Sequence, residues 1–293
     1  MSWHECQFVH SPNVRDDGTA SAPGWQATMT QFRIGEATSP EIANRDAMLL
    51  VPIGSTEQHG PHLPLNTDTN IAVAIAERAA ELLLTRSVDA LIAPALPFGS
   101  SGEHAGFAGT LSIGNEVLES VVVELVRSAS EHFSSVVIVN GHGGNQAALV
   151  RAVAALRSEG RDALVWSPIV PGGDSHAGRT ETSMMLAIDA RSVRLDRAER
   201  GVMTPLRDVI DELREGGLIA VTPNGVLGDP AGASPEEGQR LLAECAENLV
   251  AAILANRVST TAHSTRDSLG TYRPETGALH SERAASDWTI DLE

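Results

Sequence analysis

The sequence contains no lysine, and all 21 of its basic residues are arginine. A chain without lysine has neither a Schiff-base lysine nor the lysine of a phosphate-binding P-loop, so both of these catalytic classes are excluded. Acidic residues outnumber the arginines by 38 to 21, which leaves a formal net charge of −17. Nucleic acids and anionic membranes bind through stripes of basic side chains, and we therefore expect neither as a partner.

Cysteine, aromatic residues and long apolar runs are also scarce. The two cysteines, Cys6 and Cys245, are far apart and show neither metal-ligand spacing nor a disulfide framework. Aromatic residues make up 3% of the chain, so the core must be aliphatic. No apolar run approaches the roughly 18 residues of a membrane-spanning helix, and the N-terminal residues lack a signal-peptide pattern. We expect a soluble, cytoplasmic protein.

What the sequence does contain is an alternation of short apolar runs with segments of helical periodicity, over residues 41–257. This alternation predicts a single α/β domain in which helices cover a parallel sheet. Residues 1–40 are polar, contain several prolines and are expected to form an irregular extension. Residues 258–293 are rich in serine, threonine and arginine, a composition typical of a disordered tail.

Strands and helices are predicted from apolar periodicity and from capping signals. The predicted strands are residues 48–53, 89–95, 136–140 and 162–166. The predicted helices are residues 69–84, 115–133, 145–157, 181–190, 205–214 and 234–256. In the last helix, Ser234 is expected to be the N-cap and Pro235 the first helical residue.

The loop after the first predicted strand, GSTEQHGPHLPLNTD at residues 54–68, concentrates ionisable side chains between a buried strand and a helix. In an extended segment residues i and i+2 point the same way, so Glu57 and His59 can face one cavity. Asp68 directly precedes the predicted helix, where a single acidic residue is commonly a plain N-cap. The whole cluster, flanked by prolines and glycines, favours a functional site, which His62 is expected to support rather than bind directly.

A second cluster, NGHGGN at residues 140–145, directly follows a β-branched predicted strand. Glycines on both sides of His142 allow a ligand to approach the backbone closely, and we expect Gly143 and Gly144 to contact substrate. In open α/β sheets, ligands bind beyond the carboxyl ends of the strands. Both clusters follow such ends, so the fold is expected to bring His142 and Glu57 to the same edge.

A third cluster, GGDSHAGRTETS at residues 172–183, follows the fourth predicted strand and opens a helix. Taken alone, Glu181 only complements the positive end of the helix dipole. Beside His176, and with two other clusters at the same edge, it becomes a candidate fifth metal ligand or an acid–base group.

Residues 99–110 form a loop of small residues that also follows a predicted strand. Two interpretations are equally consistent with its sequence. Either Glu103 and His104 contact substrate in the same crevice, or the segment is a tight surface turn.

Together the three clusters supply imidazoles and carboxylates but no thiol. Mixed nitrogen and oxygen ligands suit Zn²⁺, Mn²⁺ or Fe²⁺. Several carboxylates, one of which can bridge, allow two metals roughly 3.5–4 Å apart, as in many hydrolases. No G-x-S-x-G turn presents a serine nucleophile as a rival. The candidate residues are Glu57, His59, Asp68, His142, His176 and Glu181.

With these residues in view, the sequence resembles the creatininase family of metal-dependent amidohydrolases. The resemblance rests on E-x-H-G-x-H-L-P…D over residues 57–68 and on N-G-H-G-G-N over residues 140–145, and it extends from about residue 49 to 253. It implies a three-layer α/β/α sandwich with a mostly parallel sheet, a homo-oligomer that is commonly a hexamer, and two divalent ions per subunit. The metal ligands that it implies are Glu57, His59, Asp68 and His142.

The resemblance makes Asp68 the bridge between the two ions. Members that hydrolyse creatinine carry a glutamate ligand two residues after the histidine of the second motif, where this chain has Gly144. They also carry a tryptophan at the position of Gly172. Creatinine is therefore not the expected substrate, and Glu181 is the expected replacement ligand. Either His176 or Glu181 is expected to move the proton during amide hydrolysis.

Two further segments, GDSHAGRTETS at residues 173–183 and PNGVLGDP at residues 223–230, are similar to a peptidase subgroup of the family. This likeness implies a modified ribosomal peptide as substrate, with its C-terminal Val-Tyr decarboxylated and cross-linked. Hydrolysis of the preceding amide would release that unit as a small cyclic amide. Two alternatives stay open: hydrolysis of a small molecule such as a cyclic amide or formamide, and metal binding without catalysis.

Overall fold

The computed structural model describes residues 32–43 and 45–267, with side chains as far as residue 257. The chain divides into two compact units, Met1–Ile253 and Leu254–Glu293. Most of the predicted N-terminal extension lies outside the described residues, as does the predicted tail beyond residue 267. Within the described part of the chain, no helix combines the length and the apolarity that a membrane span requires.

The first unit is built on four parallel strands with helices between them. The strands are β1 (Met48–Ile53), β2 (Ala90–Ile92), β3 (Val136–Asn140) and β4 (Ala163–Trp166). The helices are α1 (Ser39–Ile42), α2 (Thr67–Thr85), α3 (Asn115–Ala129), α4 (Gln146–Ser158), α5 (Arg179–Asp189), α6 (Leu206–Gly216), α7 (Leu218–Val221) and α8 (Pro235–Asp267). Short 3-10 turns lie at Ile34–Glu36, Gly102–His104, Gly143–Asn145, Ala190–Ser192 and Leu195–Arg197.

The strand order in the sheet is β2-β1-β3-β4. Every residue of β1 and β3 is buried, as expected for central strands that are covered on both faces. The register pairs Ile53 with Asn140, so these two strands end level with each other. The loops that follow them therefore start side by side at one edge of the sheet.

Helices on the two faces of the sheet complete the predicted three-layer α/β/α sandwich. On one face, α3 and α4 pack together, and α3 buries Leu118, Val122 and Val126, which recur every four residues. These side chains share a core with Leu49 and Val51 of β1. On the other face, α2 packs against β1, β2, β3 and α5.

Strand β2 is shorter than predicted. It ends at Ile92 rather than at residue 95, because Pro94 has no N–H to donate to the neighbouring strand. Pairing with β1 resumes at a single bridge, where Leu96 pairs with Ile53.

Several helix boundaries also differ from the prediction; α3, for example, ends at Ala129 rather than at residue 133. Helix α2 begins at Thr67, so Asp68 lies inside its first turn rather than before it. Helix α8 begins as predicted, with the Ser234 hydroxyl accepting the Glu237 N–H (3.2 Å). It then continues to Asp267, past the predicted end at residue 256 and into the segment 258–293 that was expected to be a tail. The physical reason is that neither proline nor glycine interrupts the chain between Gly238 and that end.

Candidate metal centre

Two buried asparagines hold the loops at the end of the sheet together. Asn145 donates from Nδ2 to the Gly54 carbonyl (3.0 Å) and accepts the Ser100 N–H at Oδ1 (2.8 Å). Asn140, the last residue of β3, donates to the His142 carbonyl (2.8 Å). Residues distant in the sequence are thereby fixed at one edge. Neither role is visible in residue spacing, because both depend on contacts across the fold.

The three predicted clusters meet at this edge and form two overlapping sets of side chains. The ligand atoms of Glu57, Asp68 and His142 lie within 4.8 Å of one another; we call this set the first triad. The ligand atoms of His59, Asp68 and Glu181 lie equally close and form the second triad. Asp68 belongs to both triads, as expected for a bridging residue. A third set of the same compactness comprises Glu57, His59 and His176.

Three carboxylate oxygens of the first triad are buried without a hydrogen-bond partner. Glu57 is 0% exposed, and neither of its carboxylate oxygens has a hydrogen-bond partner. Its Oε1 lies 3.1 Å from His104 Nε2 and 3.2 Å from His142 Nδ1, but neither contact has hydrogen-bond geometry. Asp68 Oδ2 is buried and unpartnered in the same way. Because a buried carboxylate without partners is costly, these three oxygens fit a cation that binds among them.

Asp68 is not acting as a plain helix cap. Its Oδ1 accepts a hydrogen bond from His59 Nε2 (2.9 Å), and its Oδ2 lies 3.3 Å from His142 Nδ1. Burial on its own raises the pKa of Asp68, but the two imidazoles outweigh burial and hold that pKa well below its ordinary value. The residue therefore stays an anion at the centre of the cluster.

The pKa values of His59 and His142 are shifted in the opposite direction, upwards. Burial lowers the pKa of His59, yet Asp68 and the other nearby carboxylates raise it to about 10. Burial is likewise outweighed for His142, where Asp68, Glu103 and Glu57 raise the pKa well above its usual value. The carboxylates of each triad thus favour a positive charge beside them. Metal ions need deprotonated ligands, so a bound ion would compete with the imidazole proton for this position.

Glu181 joins the cluster from the first turn of α5. Its Oε2 accepts the Ala177 N–H (2.6 Å) and lies 3.8 Å from His59 Nε2. Burial, reinforced by the charge of Asp68 and opposed by His59, raises the pKa of Glu181 to about 7. The side chain points at the other ligands rather than only complementing the helix dipole.

His176 lies beside the triads with one ring nitrogen engaged. Its Nε2 donates to the Gln58 carbonyl (3.0 Å), while its Nδ1 lies 4.0 Å from Glu57 Oε1. Burial, together with the charges of His59 and His104, keeps the pKa of His176 well below its ordinary value. A neutral imidazole with a free Nδ1 is suited to accept a proton.

Gln58 is a residue of this site that motif reasoning missed. Its side-chain oxygen accepts the Gly60 N–H (2.8 Å), and its Nε2 donates to the Gly225 carbonyl (3.0 Å). These bonds connect the first motif to the later segment 223–230, whose Leu227 pairs with His176 through two backbone hydrogen bonds. Its position between two site residues in the sequence, Glu57 and His59, is the only signal that could have indicated it.

Glu103 and His104 contact the predicted ligands. Glu103 Oε1 lies 3.2 Å from His142 Nε2, and the buried His104 contacts Glu57. Gly144 makes room for this arrangement, because a Cβ there would overlap Glu103 Oε1 and His142 Nε2. The carboxylate of Glu103 thus lies where a side chain at position 144 would begin.

His62 lies behind the cluster, as predicted by its place in the first motif. It is buried, and its Nε2 is 2.8 Å from the Thr182 hydroxyl, next to Glu181. This contact connects the first loop to the start of α5.

Two cavities open onto the cluster. The larger, of about 840 Å³, is lined by Glu103, His104, His142, His176 and by side chains of α6. The smaller, of about 390 Å³, is lined by polar residues that include Gln146, Ser167 and Asp174, and by Glu181. The triads therefore lie where two separate pockets converge.

Comparison with known proteins agrees with this geometry. A family model described as creatinine amidohydrolase (Creatininase) matches residues 35–253. The chain belongs to the creatininase family. Membership makes it a hydrolase of amide or peptide bonds, and the matched residues include both triads.

A relative and two solved structures show how far the likeness extends. The chain is 49% identical over 222 residues to the mycofactocin precursor peptide peptidase of Mycolicibacterium smegmatis, covering 74% of this chain and 90% of that protein. It is similar to the crystal structure of creatinine amidohydrolase, with a TM-score of 0.65 and 30% identity over 76% of this chain and 96% of that one. A structure described as creatininase Mn gives a TM-score of 0.63 and 29% identity, over 76% and 97% of the two chains.

Proposed function

We propose that this chain is a metal-dependent peptidase that cleaves the modified mycofactocin precursor peptide in the cytoplasm. It hydrolyses the amide that precedes the C-terminal Val-Tyr-derived unit and releases that unit as a small cyclic amide. The observation that carries the proposal of a metallohydrolase is the pair of triads that share Asp68, with three buried carboxylate oxygens that lack partners. The choice of substrate is supported by the 49% identity to a peptidase of that name.

Two divalent ions fit the donor set. Glu57, Asp68 and His142 would hold one ion, and His59, Asp68 and Glu181 the other. Carboxylates and imidazoles without thiolates suit Zn²⁺, Fe²⁺ or Mn²⁺. Ions bound there supply Lewis-acid polarisation of the scissile carbonyl and make water more acidic.

Residues around the triads then transfer the proton. His176 is neutral, and its bond to the Gln58 carbonyl leaves Nδ1 free to take a proton from the attacking water. The same nitrogen can return that proton to the departing amine. Glu181 is the alternative acid–base group if it does not bind metal.

Creatinine hydrolysis is the less favoured alternative. The position at which creatinine-hydrolysing members carry a glutamate ligand is Gly144 here, and the space beside it is filled by Glu103. The carboxylate that completes the second triad is instead that of Glu181, in the first turn of α5. The proposed ligand set therefore differs from that of the creatinine-hydrolysing members.

The test is metal removal followed by reconstitution with two substrates. We expect a chelator to abolish cleavage of the modified peptide, and Zn²⁺, Fe²⁺ or Mn²⁺ to restore it, as measured by mass spectrometry of the released cyclic amide. The reconstituted protein should be far less active on creatinine and on formamides. Full activity of the demetallated protein would refute the metal dependence. Turnover of a small amide in preference to the peptide would refute the substrate.

A further inference from the structure

Helix α6 presents an apolar face that the described chain covers only in part. Leu206, Ile210 and Leu213 recur at i, i+4 and i+7, so they lie along one side of the helix. No residue of α6 is buried, and Leu206 is 39% exposed. The face does not point away from the protein, because all three side chains line the larger cavity.

The position of α6 relative to the triads is set at its C-terminal end. Gly217 follows the helix with a φ of +72°, a conformation that favours glycine, and a Cβ there would lie 3.1 Å from the Glu103 carbonyl. Helix α6 also packs against the turn Gly102–His104, whose Glu103 and His104 contact triad residues. The apolar wall and the catalytic cluster are therefore two sides of one cavity.

The two cavities differ in size, and Gly143 lines both of them. The larger one combines the aliphatic wall of α6 with a volume of about 840 Å³, inside the roughly 300–1,000 Å³ range of small-molecule sites. The smaller one, of about 390 Å³, has no such continuous aliphatic wall, because Ile71 and Met184 lie there among Gln146, Asp174 and Glu181. Gly143 lines both cavities, and a Cβ added there would meet nothing within 4 Å. A peptide chain has open space to cross from one cavity to the other at this point.

We propose that Leu206, Ile210 and Leu213 bind the apolar, aromatic C-terminal unit of the modified peptide and determine specificity for it. The inference rests on the proposed function and adds the direction of binding. The Val-Tyr-derived unit occupies the larger cavity against α6. The upstream peptide crosses Gly143 into the smaller cavity.

The experiment compares two double variants on two substrates. Ile210→Ala/Leu213→Ala removes part of the wall, and alanine preserves the helix. Val121→Ala/Leu125→Ala on α3 is the matched control, since those side chains are 37% and 38% exposed and line neither cavity. The substrates are the modified peptide and an analogue whose C-terminal unit has a methyl group in place of the aromatic ring. The readouts are kcat, KM and metal content.

We expect the α6 variant to raise KM for the modified peptide about tenfold or more, with metal content unchanged. Its KM for the analogue should differ little from that of the wild type, because the ring contact is already missing. The α3 variant should match the wild type on both substrates. An unchanged KM, or an equal loss on both substrates, would overturn the specificity role while leaving the proposed function intact. A wild-type protein that does not cleave the modified peptide would overturn both.

Discussion

The two triads share Asp68 but are held by the chain in different ways. The first triad comes from the ends of β1 and β3 and from the first turn of α2, and its side chains are at most 6% exposed. The second triad is completed by Glu181, whose side chain is 21% exposed and lies 3.8 Å from His59. The loops that follow β1 and β3 thus supply two residues of the first triad, whereas the first turn of α5 completes the second.

This difference indicates how a metal site of this family can change one ligand and still keep the first triad. A carboxylate ligand can come from a different segment of the chain, provided that it still reaches His59 and Asp68. In the proposed site this carboxylate is Glu181, position 144 is a glycine, and the residues at the sheet edge keep the family motifs. We therefore expect an ion at the second triad to bind more weakly and to respond more to pH.

Asp68→Asn should have the largest effect, because it changes both triads at once. We expect loss of both ions and a fall in kcat of about a thousandfold or more, since Lewis-acid polarisation contributes several kcal/mol and each 1.4 kcal/mol is a factor of about ten. Metal analysis and peptide turnover measure this directly, with circular dichroism to verify the fold. A variant that keeps both ions and full activity would show that Asp68 does not bridge.

Glu181→Gln should affect one triad only and should leave about one ion per chain. The raised pKa of Glu181, about 7, means that a proton occupies the carboxylate below that pH and must leave when metal binds. Metal affinity should therefore fall at both triads as the pH drops below 7. For each pH unit, the factor by which it falls should be about ten times larger at the second triad than at the first. Calorimetric metal titrations at pH 6 and pH 8 test this.

The matched control for that experiment is Glu116→Gln, which removes an exposed acidic residue from the first turn of α3. It should bind two ions with the pH dependence of the wild type. If Glu181→Gln also bound two ions with unchanged pH dependence, the proposed second triad would be incorrect.

Gly144→Ala should have a smaller effect that is centred on the first triad. Its Cβ would overlap Glu103 Oε1, His142 Nε2 and the Ser100 carbonyl, so the hydrogen bond of His142 Nε2 to that carbonyl (3.1 Å) and its contact with Glu103 would be disturbed. Loss of such a supporting contact typically lowers metal affinity about 10–100-fold. Gly143→Ala is the control for metal affinity, since a Cβ there meets nothing within 4 Å. Equal metal affinities of the two variants would contradict the role given to Gly144.

The sequence predicts the parts of this molecule that depend on local pattern. Strands β1 and β3 match their predicted bounds, because apolar, β-branched runs followed by glycine have few alternatives. The convergence of Glu57, His59 and His142 was predictable as well, since carboxyl ends of parallel strands meet at one edge.

The other features of the fold and of the site could not be predicted, because they depend on contacts between segments that are distant in the sequence. The fit of Glu103 against Gly144 and the bonds of Gln58 to the loop at Gly225 leave no periodic signal. The apolar stripe of α6 is visible in the sequence. The surface that the stripe faces depends on how the C-terminal end of the helix packs at Gly217 against Glu103. The start of α2 was missed because Thr67 and Asp68 are poor helix formers that tertiary contacts keep in the helix.

Anomalous diffraction from crystals of the metal-loaded protein tests the central claim most directly. We predict two peaks per chain on either side of Asp68, one in contact with Glu57 and His142 and the other with His59 and Glu181. A single peak, or two peaks of which neither touches Asp68, would contradict the account.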